Sequence, residues 1–256
     1  YWLKGIDNGG VDEPPLRLFI MGVNEWRDEH EWPLARTDWQ KWHLRSQGGA
    51  NSVRGDGRLS TTEPDDEPAD GFAYDPRFPV QTVGGANCCS PHIVPWGPYD
   101  QRSVEMRSDV LCYTSAPMER DLEVTGPIKV VLYAATDGSD TDWTAKLLDV
   151  SPTGYAMNLC DGIIRARYRK SRSTPTLLTA GRVYRYEIEV GVTGNVFRHG
   201  HSVRLEISSS NFPRFDRNPN TGHDIGRDAE LRVAVQRVEH SREHPSHILL
   251  PVIPAG

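Results

Sequence analysis

No apolar run in the 256-residue chain approaches the roughly 20 residues that a membrane-crossing helix requires, and no signal peptide is visible. The spacing signatures of common catalytic sites are missing too. There is no G-x-S-x-G, H-E-x-x-H, G-x-x-x-x-G-K-[ST] or G-x-G-x-x-G. "GHSVR" at 200–204 begins like a nucleophile elbow, but it lacks the closing glycine and leads into a strand, so it reads as a turn. No C-x-x-C pair exists, which removes the usual zinc and redox spacings. The four cysteines are Cys88, Cys89, Cys112 and Cys160. Adjacent cysteines seldom bridge each other, and buried free Cys behaves as a small hydrophobe, so all four read as free thiols. The compartment stays open, with the cytoplasm slightly favoured. A net charge of −6 argues against nucleic acid as the main partner.

Helical periodicity is also scarce, and short strands stand in its place. Nineteen Pro and 23 Gly suit a chain that turns often. From residue 103 onward "DVLCYTS", "LEVTGPIKVVLYAAT", "DWTAKLLDV", "AMNLCDGIIRARYR", "VYRYEIEV", "SVRLEISS" and "RVAVQRVEH" are candidate strands. In "SVRLEI" the alternation puts Val203, Leu205 and Ile207 on a buried face and Arg204 and Glu206 on a wet one. "VSPTGYA" reads as a hairpin turn. Antiparallel strands without intervening helices predict a mainly-β sandwich with long loops and few short helices. Residues 46–102 are loop-rich. Loops of that length in a compact domain are usually functional or folded over a neighbour. The opening "YWLKGIDNG" reads as the last turn of an amphipathic helix with a Gly stop.

Several clusters compete as sites. Trp26, Trp32, Trp39 and Trp42 suggest a packed aromatic ribbon, with a stacking platform for sugars as the alternative. Asp137, Asp140 and Asp142 fit turn bracing better than a calcium loop. His240, His244 and His247 have metal-like spacing, but Pro245 breaks the helix such a site would use, and a solvated terminal loop is the plainer reading. In "RARYRKSR" strand alternation puts Arg165, Arg167 and Arg169 on one face, a wet strand face or a docking face for an acidic partner, not a nucleic-acid stacking set. "SSSNFPRFDRNPNTG", 208–222, holds hydroxyls, amides and two arginines but no nucleophile paired with a base. Asn211, Asp216, Arg217, Asn218 and Asn220 are therefore expected to brace a long connection whose backbone must be satisfied.

"LRLFIMGVNEWRDEHEWPLA", "PYDQRSVEMRSDVLCYTS", "DTDWTAKLLDVSPTGYAMNLCDGIIRARYR", "NVFRHGHSVRLEISSSNFPRFDRNPNTG" and "EHPSHILLPVI" together resemble the C-terminal domain of X-prolyl dipeptidyl-peptidases and cocaine-esterase-type serine hydrolases. The resemblance implies a jelly-roll β-sandwich of the galactose-binding-like type over residues 14–256. Residues 1–13 would be the end of a helix from a missing α/β-hydrolase domain, which is the implied partner. The family's catalytic Ser, acid and His belong to that other domain, so no catalytic residue is assigned here. No cofactor or metal is implied. The loop Gly84–Tyr99, with Cys88, Cys89 and Trp96, has the best claim to face the substrate cleft. A carbohydrate-binding module is the rival reading. Homo-oligomerisation is kept open; nucleic acid and membrane are not expected as partners.

Overall fold

The computed structural model describes residues 1–88, 92–227 and 229–254. The hairpin β1 (Leu16–Ile20) and β2 (Glu25–Glu29) stands apart from the main sheet. That sheet comprises β3 (Asp38–Arg45), β4 (Arg58–Ser60), β5 (Asp70–Tyr74), β6 (Leu111–Thr114), β7 (Leu122–Thr136), β8 (Asp142–Val150), β9 (Ala156–Arg165), β10 (Tyr184–Phe197), β11 (Ser202–Ser208), β12 (Ala234–Glu239) and β13 (His247–Ile253). One short helix, α1 (Arg102–Glu105), precedes β6. The fold is the mainly-β sandwich that the strand pattern predicts.

Long β7 is the hub. Antiparallel β10 lies along one edge, and β12 and β13 share the other. From β13 the order continues β3, β4, β6, β11, β8, β9, so the sheet curls over on itself. The curl brings β9 back against β10. A Cβ on Gly162 would lie 2.0 Å from the Glu189 carbonyl oxygen, so only glycine permits this approach. Two inner faces then enclose one core, including Leu44, Tyr113, Leu132, Trp143, Tyr186, Phe197 and Leu205, all at most 1% exposed. Proline sits in β13 without breaking it. Pro251 falls where the β13–β7 register shifts, a place that asks for no ladder N–H.

Two strand expectations need correction. Every residue of β11 is buried, so Arg204 and Glu206 do not face water. Residues of the 79–107 and 209–218 segments contact this outer face and convert it into a buried polar layer. β9 ends at Arg165, and residues 166–168 form a 3₁₀ turn, so the arginines of 165–169 do not share a wet strand face. Arg165 pairs with Asp142 at 2.9 Å, Arg167 is buried on Asp140 at 2.7 Å, and Arg169 lies over the Tyr184 ring.

Candidate cleft loop and its polar bed

The loop spanning residues 84–99 closes on itself at its base. Gly85 and Gly97 exchange two backbone hydrogen bonds of 2.7 and 3.0 Å. Gly84 has φ +64°, and a Cβ there would meet the Gly97 carbonyl oxygen at 2.6 Å, so the crossing needs glycine. Inside the ring, the Asn87 amide donates to the Gly84 carbonyl at 2.6 Å. The two stems are tied by one buried side chain. Gln101 Nε2 donates to the Val83 carbonyl at 2.7 Å and to the Tyr99 carbonyl at 3.0 Å. The Gln101 amide oxygen accepts from Lys146 Nζ of β8 at 3.2 Å, and the Tyr99 N–H donates to Asn158 of β9 at 2.7 Å. From this fixed base the loop turns apolar surface outward: Ile93 is 74% exposed, Trp96 51% and Tyr99 44%.

Of the predicted loop residues, Cys88 and Trp96 are described, and Cys89 lies outside the described residues. The free-thiol expectation fails at Cys88, which is disulfide-bonded. It holds for Cys112 and Cys160, which are buried and free. Burial pushes the Cys160 thiol up to about 12, with Asp161 adding to the effect, so it is inert at neutral pH.

The bed under the loop is a chain of buried charges. Asp161 accepts from Asn211 Nδ2 at 2.8 Å and pairs with Arg214. Burial raises its pKa, while Arg214, Lys146 and Asn211 pull it back. Lys146 also faces Glu206 at 3.7 Å, and Arg204 donates to Glu105 of α1 at 2.7 Å. Burial pushes the Glu206 carboxyl up to about 7. Neighbouring Glu105 contributes to this rise, while Lys146 and Arg204 oppose it.

The expected bracing set divides. Asn218 Nδ2 donates to Asp140 at 2.9 Å and Asp142 at 2.8 Å, and its own oxygen accepts from the Asn220 N–H at 2.9 Å. Asn220 Nδ2 reaches the Arg232 carbonyl at 2.8 Å. Asn211 belongs instead to the Asp161 bed beneath the loop. Arg217 is exposed and donates to the Pro76 carbonyl at 3.1 Å, and Asp216 is exposed. Sequence reasoning missed the anchors Arg165, Arg167, Lys146 and Asp161. Their charge argued for solvent, and only the distant loops that cover them reverse that reading.

The histidines do not form a solvated tail. His240 is fully buried, His247 lies in β13 with its ring tilted against His43, and the His244 ring is tilted against Tyr133. Among the described residues no group of three or more His, Cys, Asp or Glu is placed to hold a metal ion. A Ser–His–Asp contact does occur. Ser46 Oγ lies 3.1 Å from His240 Nε2, which lies 2.9 Å from Asp70 Oδ2. It lacks the order a triad needs. The carboxylate and the serine share the same ring nitrogen, so the proton on Nε2 points at Asp70 and that nitrogen cannot deprotonate Ser46. Ser46, Tyr113 and the Ala50 N–H all donate to Asp70 as well. Burial raises the Asp70 carboxyl, but His240, Ala50 and Tyr113 outweigh it and leave the pKa lowered. This is a buried carboxylate bracing three segments.

The aromatic ribbon also needs correction. Only Trp42 is buried, while Trp26, Trp32 and Trp39 are 68%, 38% and 44% exposed. Their rings do not pair with one another. Trp26 packs edge-on against Phe19, 5.3 Å between centroids, and among the described residues no tryptophan pair forms a platform.

Residues 8–249 match the model of the X-Pro dipeptidyl-peptidase C-terminal non-catalytic domain. The chain belongs to this family. It is 45% identical over 253 residues to the cocaine esterase of Rhodococcus sp. (strain MB1 Bresler), a match that covers 98% of this chain and 44% of that protein. Among solved structures, an aminopeptidase from a marine sediment Thaumarchaeota archaeon matches with TM-score 0.85 and 28% identity, over 95% of this chain and 41% of that one. An alpha-amino acid ester hydrolase matches with TM-score 0.83 and 31% identity, over 94% and 41%. As a member of the family this is a non-catalytic domain. It spans less than half the length of the relatives it matches.

Proposed function

We propose that this domain serves an intact serine hydrolase of the acyl esterase or X-Pro dipeptidyl-peptidase type. It packs on an α/β-hydrolase domain of the same polypeptide, and its 84–99 loop walls the substrate cleft. A galactose-binding-like jelly roll suits this role, because a rigid sandwich can hold a loop at a fixed height over a neighbour. The carrying observation is the loop itself. Its two stems are locked by one buried glutamine, while Ile93, Trp96 and Tyr99 are left open. A loop with a base held this firmly and with exposed apolar side chains at Ile93, Trp96 and Tyr99 suits contact with the acyl or side-chain part of a substrate.

The test is Trp96→Ala in the full-length enzyme. KM for aromatic esters or X-Pro amides is expected to rise several-fold, on the order of tenfold, with kcat changed less, because a binding wall contributes alike to ground and transition states. Unchanged constants across a panel of esters and X-Pro p-nitroanilides would remove the loop from the cleft.

A further inference from the structure

We propose that the outward face of the β1–β2 hairpin is the surface on which the preceding domain of the same polypeptide docks. This rests on the reading above that such a domain exists, and it assigns the contact to named residues. The hairpin pairs Arg17 with Asp28 and Phe19 with Trp26 in register, so all four side chains share one face. Trp26 is 68% exposed and Phe19 42%, with their rings packed edge-to-face. Beside them Arg17 donates to Asp28 through two hydrogen bonds of 2.7 and 3.1 Å, so the polar half of the face carries no net charge. The surface is aromatic and electrically neutral, which suits an apolar partner surface and not a charged one.

The opposite face of the hairpin is anchored with unusual thoroughness for two strands that are marginal alone. Ile20 is buried, the Met21 N–H donates to the Gly194 carbonyl of β10, and the Val196 N–H of β10 donates to the Met21 carbonyl, at 2.9 Å each. Arg27 forks onto Glu123 of β7 at 2.9 and 2.6 Å, and Glu29 is held by Arg36. A hairpin fixed this way presents its aromatic pair rigidly.

The occupant follows from connectivity. Residues 1–13 lead directly into β1, and Tyr1, Trp2, Leu3, Ile6 and Val11 are themselves exposed. The family is a C-terminal domain, and the relatives are more than twice as long. What precedes Tyr1 in such a protein is tethered beside this face. A short tether holds it at an effective concentration of roughly millimolar, which a second copy in solution does not reach.

The experiment uses the full-length enzyme with Trp26→Ala and the double variant Phe19→Ala/Trp26→Ala, and Trp26→Phe as the conservative control. The readout is tryptic cleavage after the exposed Lys4, followed by mass spectrometry, together with calorimetric unfolding. Undocking is expected to raise the cleavage rate roughly tenfold, about 1.4 kcal/mol of opening free energy. It should also split one unfolding transition into two, with Trp26→Phe close to wild type. Unchanged cleavage and a single transition in the double variant overturn the assignment while leaving the cleft-loop reading, tested through Trp96, untouched. A wild-type enzyme whose segments already unfold independently overturns the proposed domain packing itself. A fall in oligomer size without faster cleavage gives the face to a second copy and also overturns the assignment.

Discussion

At the scale of single residues, Glu206 shows how covering loops change chemistry. Its alternation with Val203, Leu205 and Ile207 marks it as a solvent-facing strand residue, and in isolation it would titrate near 4.3. Under α1 and beside Glu105 its carboxyl is pushed up to about 7. The folded domain therefore binds more protons here than the unfolded chain does between those values. The stability this site contributes is fully present below about pH 4.3 and is lost as pH rises through about 7, an effect of at most roughly 4 kcal/mol. Urea unfolding of wild type and Glu206→Gln at pH 5 and pH 8 checks it. Between pH 5 and pH 8 the wild type should lose more stability than the glutamine variant. Equal losses would show that this carboxyl titrates normally. The same scale explains Ser46 and His240. Residue types alone suggest hydrolytic chemistry, and the shared ring nitrogen removes it.

At the scale of elements, the strands were legible and their surroundings were not. β7, β8, β10 and β11 follow the apolar runs, because period-two patterning records which side faces the core. The other side is decided by loops far away in sequence, so Arg167, Lys146 and Arg204 look wet until those loops are placed. Asn218 and Asn220 were readable because their crowding among turn residues has a local cause. Asp140 and Asp142 as the partners of Asn218 were not, since 78 and 76 residues separate the pairs. Only proximity in the folded chain brings them together. The loop base shows the same limit in one residue. Nothing in "PYDQRS" marks Gln101 as the tie between two stems, yet its amide holds both. Gln101→Ala removes both donors and the acceptor for Lys146. Hydrogen exchange at the Gly85, Gly97 and Tyr99 amides should quicken by roughly tenfold or more, since each lost buried bond is worth about 1 kcal/mol and Lys146 is left without that acceptor. Amides in the middle of β7 should keep their protection. Uniform acceleration across the sheet would mean that the glutamine stabilises the domain at large instead of this loop.

At the scale of the whole molecule, the sandwich closes over its core but leaves large aromatics open on its exterior. One core fills the curled sheet, and the outer layer of β8, β9 and β11 is a connected set of buried ion pairs. The exterior nevertheless carries Phe19, Trp26, Ile93, Trp96 and Tyr99 in the open. Exposed apolar area that is contiguous drives association. The domain produced without its neighbour is therefore expected to self-associate weakly. Light scattering over a concentration series should give a mass that climbs above that of the monomer. A Phe19→Ser/Trp26→Ser variant should flatten that climb, and a Trp96→Ser variant should do so less, if the hairpin is the larger sticky face. If a preceding domain docks on the hairpin as proposed, the full-length protein at equal molarity should show no hairpin-dependent change in mass. A strictly monomeric isolated domain at every concentration would show that these aromatics are spaced too widely to act as one patch, and that their exposure carries no demand for a partner.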